Sequence, residues 1–143
     1  MAEVRFYDTA DDQLLKFEVI ISKSGGKYIL CKHKERDTYE IPGGHRNFGK
    51  TILEEAKREL KEETGAAEFT IKPVCVYSVT GQTRAVEDEK RETFGMIFAA
   101  DICSFESIHS EIEKIIFTDS LEINWTYPDI QPKLIEEAKR RGY

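Results

Sequence analysis

Between Arg58 and Gly65 the chain reads RELKEETG, which gathers Glu59, Glu62, Glu63 and an arginine into one short run. On a helix, positions i, i+3 and i+4 are neighbours, so these three carboxylates converge on one side. Like charges at that spacing repel unless a cation lies among them. Clustered hard oxygen ligands suit Mg²⁺ or Mn²⁺, which take carboxylates and keep waters for a phosphate partner. Taken alone, a Glu-rich stretch is most often a solvated helix face. The convergence of all three on one helical face points instead to a metal-carboxylate site.

The elements that must hold this site are legible in outline. Thr51 can cap a helix and Glu54 completes a capping box, while Gly65 supplies a left-handed stop. Leu53, Ala56 and Leu60 repeat at helical spacing and form the expected buried stripe. Upstream, Phe17 to Ile21 and Tyr28 to Cys31 are β-rich runs joined through Ser24-Gly25-Gly26, a hairpin signal. Thr38 to Ile41 is a third short run leading into the glycine loop, which reads as a tight turn with backbone groups turned to a ligand. After the helix, Phe69 to Val79 is strand-like, with Pro73 marking an edge or bulge. Gly81 to Arg91 reads as a solvated loop, Glu92 to Asp101 as a strand, Ser104 to Ser110 as a loop and Glu111 to Phe117 as a strand. Trp125 to Pro128 is an aromatic connection, and Pro132 opens a terminal helix through Arg141 with Leu134, Ile135 and Ala138 inward. The pattern predicts an α/β fold, a mixed sheet between helices, as a single domain over residues 1–143.

Composition bounds the partners. A formal net charge of −6 disfavours extended nucleic acid and anionic membrane surfaces, although metal ions can recruit a polyphosphate locally. No apolar run reaches the roughly 20 residues of a membrane span, and the acidic N-terminus has no signal core, so a cytoplasmic protein is expected. Cys31, Cys75 and Cys103 are widely spaced among apolar neighbours and read as reduced core residues.

From Gly44 to Ala66 the chain resembles the Nudix hydrolases. Their signature is Gly, five residues, Glu, seven residues, Arg-Glu, an aliphatic, any residue, Glu-Glu, any residue, Gly and an aliphatic. Gly44, Arg58, Glu59, Leu60, Glu62, Glu63 and Gly65 fall in place, Ala66 is small where an aliphatic is usual, and Lys50 stands where the pattern has its first Glu. The resemblance implies an α/β/α sandwich and a Mg²⁺- or Mn²⁺-dependent enzyme. Its reaction is hydrolysis of a diphosphate bond in a nucleoside diphosphate linked to another moiety, a nucleoside triphosphate above all. It further implies metal ligation by Glu59, Glu63 and the Gly43 carbonyl, with Glu62 near a second ion and Arg58 orienting Glu59. Family members often draw one more carboxylate from a loop before the last strand. Glu111 and Glu113 stand there and are favoured over Glu87, Glu89 and Glu92.

Lys32 and His33, followed by Lys34 and Arg36, are candidates for gripping a polyphosphate, against the plainer reading of a solvated loop. Trp125 and Tyr127 offer stacking surfaces or simple cover. Relatives that remove oxidised guanine nucleotides carry an Asn before a Pro at the final helix, where Ile130 falls here. Lys50 pairs with Glu54 or Glu55, weakens metal binding, or reaches a substrate phosphate. The alternative to an enzyme is a catalytically weak Nudix-fold module that binds a nucleotide and regulates. A homodimer is compatible with either.

Overall fold

The computed structural model describes residues 2–81 and 91–143. Its elements run β1 (Glu3–Tyr7), a 3-10 turn (Asp12–Leu14), β2 (Leu15–Ser24), β3 (Lys27–His33), β4 (Gly43–His45), α1 (Ile52–Thr64), β5 (Ala66–Thr80), β6 (Glu92–Phe105), β7 (Ile112–Thr118) and α2 (Gln131–Arg140). The strands form one mixed sheet in the order β1-β5-β6-β2-β3-β7, with β4 also paired to β2. Among the described strands, β2 and β6 pair in parallel and the other strand pairs are antiparallel.

The β2–β3 hairpin turns through Gly25 and Gly26, at φ 58° and 83°. Two consecutive positive φ angles are what a two-residue hairpin of matching twist demands. Along β2 the side chains then alternate between two cores. Val19 and Ile21 pack with Leu134, Ile135 and Ala138 of α2, whereas Ile20 packs with Ala56 and Leu60 of α1. A helix therefore covers each face, and the α/β/α expectation holds. Glu18 and Ser22 share the Ile20 side by the same two-residue period.

β2 also divides its partners on one edge. Its far end, Ser22 to Ser24, pairs with β3, while Phe17, Glu18 and Val19 pair with His45, Gly44 and Gly43 of β4. The expected glycine turn is thus a short strand, and neither Gly43 nor Gly44 adopts a positive φ. The run before it, Thr38 to Ile41, makes only isolated bridges, Cys31 with Glu40 and Tyr39 with Trp125. Pro73 sits at a bulge in the β5–β6 ladder, as a residue without an amide hydrogen must.

Some expectations need correcting. Leu53 is 39% exposed, while the buried stripe of α1 takes in Glu55, Ala56, Leu60, Glu63 and Thr64. At about 100° of rotation per residue Leu53 points between Leu60 and Thr64, so its exposure comes from its place in the first turn of the helix and not from its direction. Cys31 and Cys75 are buried, yet Cys103 is exposed, because on β6 it alternates with the buried Ile102. β6 runs on through Phe105, which shortens the loop expected from Ser104. The charged loop expected at residues 81–91 lies, apart from its ends, outside the described residues. Among the described residues, no helix is long and apolar enough to cross a membrane.

Candidate active site

Helix α1 begins as its sequence dictates. The Glu54 amide donates to Thr51 Oγ1 at 3.1 Å, and the Thr51 amide donates to Glu54 Oε1 at 3.3 Å. It ends at Gly65, φ 77°, where an added Cβ would stand 2.2 Å from the Glu106 carbonyl oxygen. The helix is thereby fixed against the sheet with an acidic face turned inward.

Glu63 is the deepest of the signature acids, with its side chain 7% exposed. Its Oε1 accepts the Gly43 amide at 2.7 Å, and its Oε2 lies 3.8 Å from His33 Nε2. Burial pushes its carboxyl up to about 9 against the pull of that amide, and the charges of Glu59, Glu40 and Glu111 push the same way. Glu59 lies beside it on the helix and faces Gly44. A Cβ on Gly44 would meet the Glu59 carboxyl carbon at 2.8 Å, so a larger residue there would push this carboxylate aside. Burial raises the Glu59 carboxyl as well, opposed by Arg58.

Arg58 is the local cation. It donates to Glu59 Oε1 at 2.7 Å, to Glu55 Oε2 at 2.8 Å and to Glu62 Oε2 at 3.0 Å. These carboxylates hold its guanidinium firmly charged, Glu55 foremost. Glu62 differs from its neighbours, with a half-exposed side chain at the rim of the site. Leu60, fully buried, anchors the same turn in the core.

The remaining candidates divide. The Lys34 amide donates to the Glu111 carbonyl, and the charge of the exposed Glu111 helps push the Glu63 carboxyl up. Glu113 is engaged 3.0 Å from Lys32 Nζ. Glu92 lies elsewhere, accepting from Tyr7 and Ser78, and Glu87 and Glu89 fall outside the described residues. His33 faces Glu40 at 3.0 Å, and Arg36 also pairs with Glu40 at 3.0 Å. Three members of the basic run are thus turned onto carboxylates, while Lys34 stays exposed. Lys50 is exposed on the loop before α1, where its charge helps hold Glu54 down.

Two residues escaped the sequence reading as parts of the site. Glu18 of β2 is fully buried, and Glu55 is 1% exposed. Ligand oxygens of Glu18, Glu55 and Glu59 all lie within 4.8 Å of one another. Nothing in the FEVII run marks Glu18 for this, because the contact is made between the sheet and helix α1. Glu55 carried one usable signal: it lies four residues before Glu59, on the same helical face.

Beyond β4 a cavity of about 200 Å³ opens between the sheet and α2. Phe17, Val19, Tyr77, Tyr127, Ile130 and Leu134 line much of it. Tyr127 thus belongs to a pocket, whereas Trp125 is cover, its indole N–H donating to the Leu121 carbonyl at 3.0 Å. Gln131 shapes the wall by accepting the Ile41 amide at 2.8 Å.

Residues 14–128 match the NUDIX domain family. The chain belongs to the Nudix family. Bacillus subtilis YtkD, by name a candidate 8-oxo-dGTP diphosphatase, is 39% identical over 67 residues, which are 47% of this chain and 42% of YtkD. That match spans less than half of this curated relative. The crystal structure of a variant of the Bacillus subtilis pyrophosphohydrolase BsRppH superposes with a TM-score of 0.76 at 25% identity, covering 99% of this chain and 92% of that one. The Nudix domain of Shewanella oneidensis NrtR, solved with ADP-ribose, shares the fold at a TM-score of 0.62 and 12% identity, covering 89% and 87% of the two chains.

Proposed function

We propose that this Nudix protein is a cytoplasmic pyrophosphohydrolase that cleaves a diphosphate bond in a nucleoside diphosphate linked to another moiety, a nucleoside triphosphate first among them. The observation that carries this reading is the buried, mutually repelling pair Glu59 and Glu63, set against the glycine strand β4. Buried carboxylates short of positive partners cost free energy, and proteins keep such arrangements at functional sites. Hard oxygen donors in this arrangement fit Mg²⁺ or Mn²⁺, with Glu59, Glu63 and the Gly43 carbonyl as holders and Glu62 at the rim for a further ion. A divalent ion bound there supplies neutralisation of phosphoryl charge and a more acidic water.

The chain's own groups do the rest. Arg58 favours the ionised form of Glu59 against its burial and aims it through a 2.7 Å contact. Glu62 on the helix and Glu111 outside it are the candidate carboxylates for taking the proton from the attacking water. The apolar cavity beyond β4 suits a nucleoside, leaving its phosphates to cross the two glycines toward α1. Ile130 offers a base no hydrogen bond at the place where oxidised-guanine enzymes have an Asn, so the base identity is read by other cavity residues.

The test is release of phosphate or pyrophosphate from a panel of nucleoside triphosphates, dinucleoside polyphosphates, ADP-ribose and capped RNA, with and without Mg²⁺ or Mn²⁺. Metal-dependent turnover is expected. Nucleotide binding without turnover would replace this reading with that of a regulatory binding module.

A further inference from the structure

The Nudix signature does not account for Glu18. It sits on central strand β2, in the α1-facing series that continues with Ile20 and Ser22, and is wholly buried. Neither of its carboxylate oxygens has a hydrogen-bond partner, alone among buried side-chain atoms of the described residues. An isolated buried carboxylate costs several kcal/mol, which an apolar residue of similar size would avoid. A proton on Glu18 would not remove the problem, since the acid would then need an acceptor.

The orphan oxygens face a defined neighbourhood. Glu18, Glu55 and Glu59 each offer an oxygen within 4.8 Å of the others. Ligands on opposite sides of a divalent ion, bonded at about 2.1–2.4 Å, stand about 4.2–4.8 Å apart, so the span matches one coordination sphere. Among the described residues, the guanidinium that contacts Glu55 and Glu59 is that of Arg58, which also serves Glu62, so the three carboxylates keep at least two negative charges for a divalent cation to balance.

We infer that Glu18 closes a buried divalent-cation seat with Glu55 and Glu59, behind β4, using two carboxylates that the family signature does not contain. The inference rests on the proposed function in one respect, that Glu59 is a cation ligand. The seat takes Mg²⁺ or Mn²⁺ in nucleotide-free protein, because its ligands come from β2 and α1 and none from a substrate. Glu59 is the shared residue, so this ion lies on the protein side of any ion that meets phosphate.

The experiment counts Mn²⁺ bound to nucleotide-free protein by electron paramagnetic resonance, alongside the Mn²⁺-induced rise in Tm. Wild-type protein is expected to bind Mn²⁺ without nucleotide. Glu18→Gln, nearly isosteric, is expected to weaken the tightest Mn²⁺ site by about tenfold or more and to remove most of the Tm rise. Glu136→Gln, the same charge change on the exposed face of α2, is expected to behave as wild type. Equal Mn²⁺ affinity in Glu18→Gln and wild type overturns the inference. So does the absence of Mn²⁺ binding to nucleotide-free wild type, a result that needs no variant to fold. Turnover decides the proposed function separately: an active enzyme whose Glu18→Gln form binds Mn²⁺ normally loses only the seat, and an inactive protein that loses Mn²⁺ with Glu18 loses only the hydrolase reading.

Discussion

The Gly43 amide donates to Glu63 Oε1 at 2.7 Å, tying the C-terminal turn of α1 to the strand that opens its approach. A residue larger than glycine at position 43 would drive its Cβ to 2.4 Å from the Glu18 carbonyl oxygen, so the tie depends on β4 lying close against β2. Through it, one acid is both positioned and desolvated. Stability is given up locally to keep a buried carboxylate in place.

Glu63→Gln tests that trade. Hydrolysis is expected to fall by orders of magnitude, while the Tm of metal-free protein stays equal or rises, since a repelling buried carboxylate is removed. Near-normal turnover of this variant would show that Glu63 has no part in the site.

Gly44→Ala addresses Glu59 without touching it. Its Cβ would crowd the Glu59 carboxyl at 2.8 Å, and the side chain must swing away. We expect at least a tenfold loss of kcat, about 1.4 kcal/mol in the barrier, with a Tm within a few degrees of wild type. Unchanged kcat would mean that the position of Glu59 is not critical.

Lys50→Glu restores the signature position. From sequence alone, relief of cation repulsion predicts a roughly tenfold to hundredfold gain in metal affinity. The structure lowers that figure, because Lys50 is exposed and its charge is screened by solvent. A fall of about fivefold or less in the Mg²⁺ needed for half-maximal rate is expected. A raised KM with lowered kcat would identify Lys50 as a phosphate contact instead.

Glu137 provides a pH signature away from the site. Arg140 and Arg141 hold its carboxyl down to about 2, against 4.5 for the ordinary group. A depressed pKa stabilises the fold above the unfolded-state value, and that contribution fades as pH falls from about 4.5 toward 2. After solvent screening, Glu137→Gln is expected to cost on the order of 1 kcal/mol at pH 7 and almost nothing near pH 2. Denaturant melts at both pH values measure it, and equal losses at both would contradict the assignment.

What the sequence determined by itself was local. Thr51, Glu54 and Gly65 set the ends of α1 because capping acts within a few residues, and the spacing from Arg58 to Gly65 revealed the acids because a helix converts spacing into direction. The Gly25-Gly26 hairpin and the inward face of α2 were legible for the same reason. Tertiary structure decided which of those residues meet. Glu18 reaches Glu59 only because β2 lies beneath α1, and His33 and Lys32 turn onto Glu40 and Glu113 because β3 runs between the site and β7. Leu53 was misjudged for a related reason, whereas the exposure of Cys103 follows from its alternation with Ile102. Periodicity says that an element has a buried side, but contact with the sheet fixes where that side begins and how far along each strand the covering helix extends.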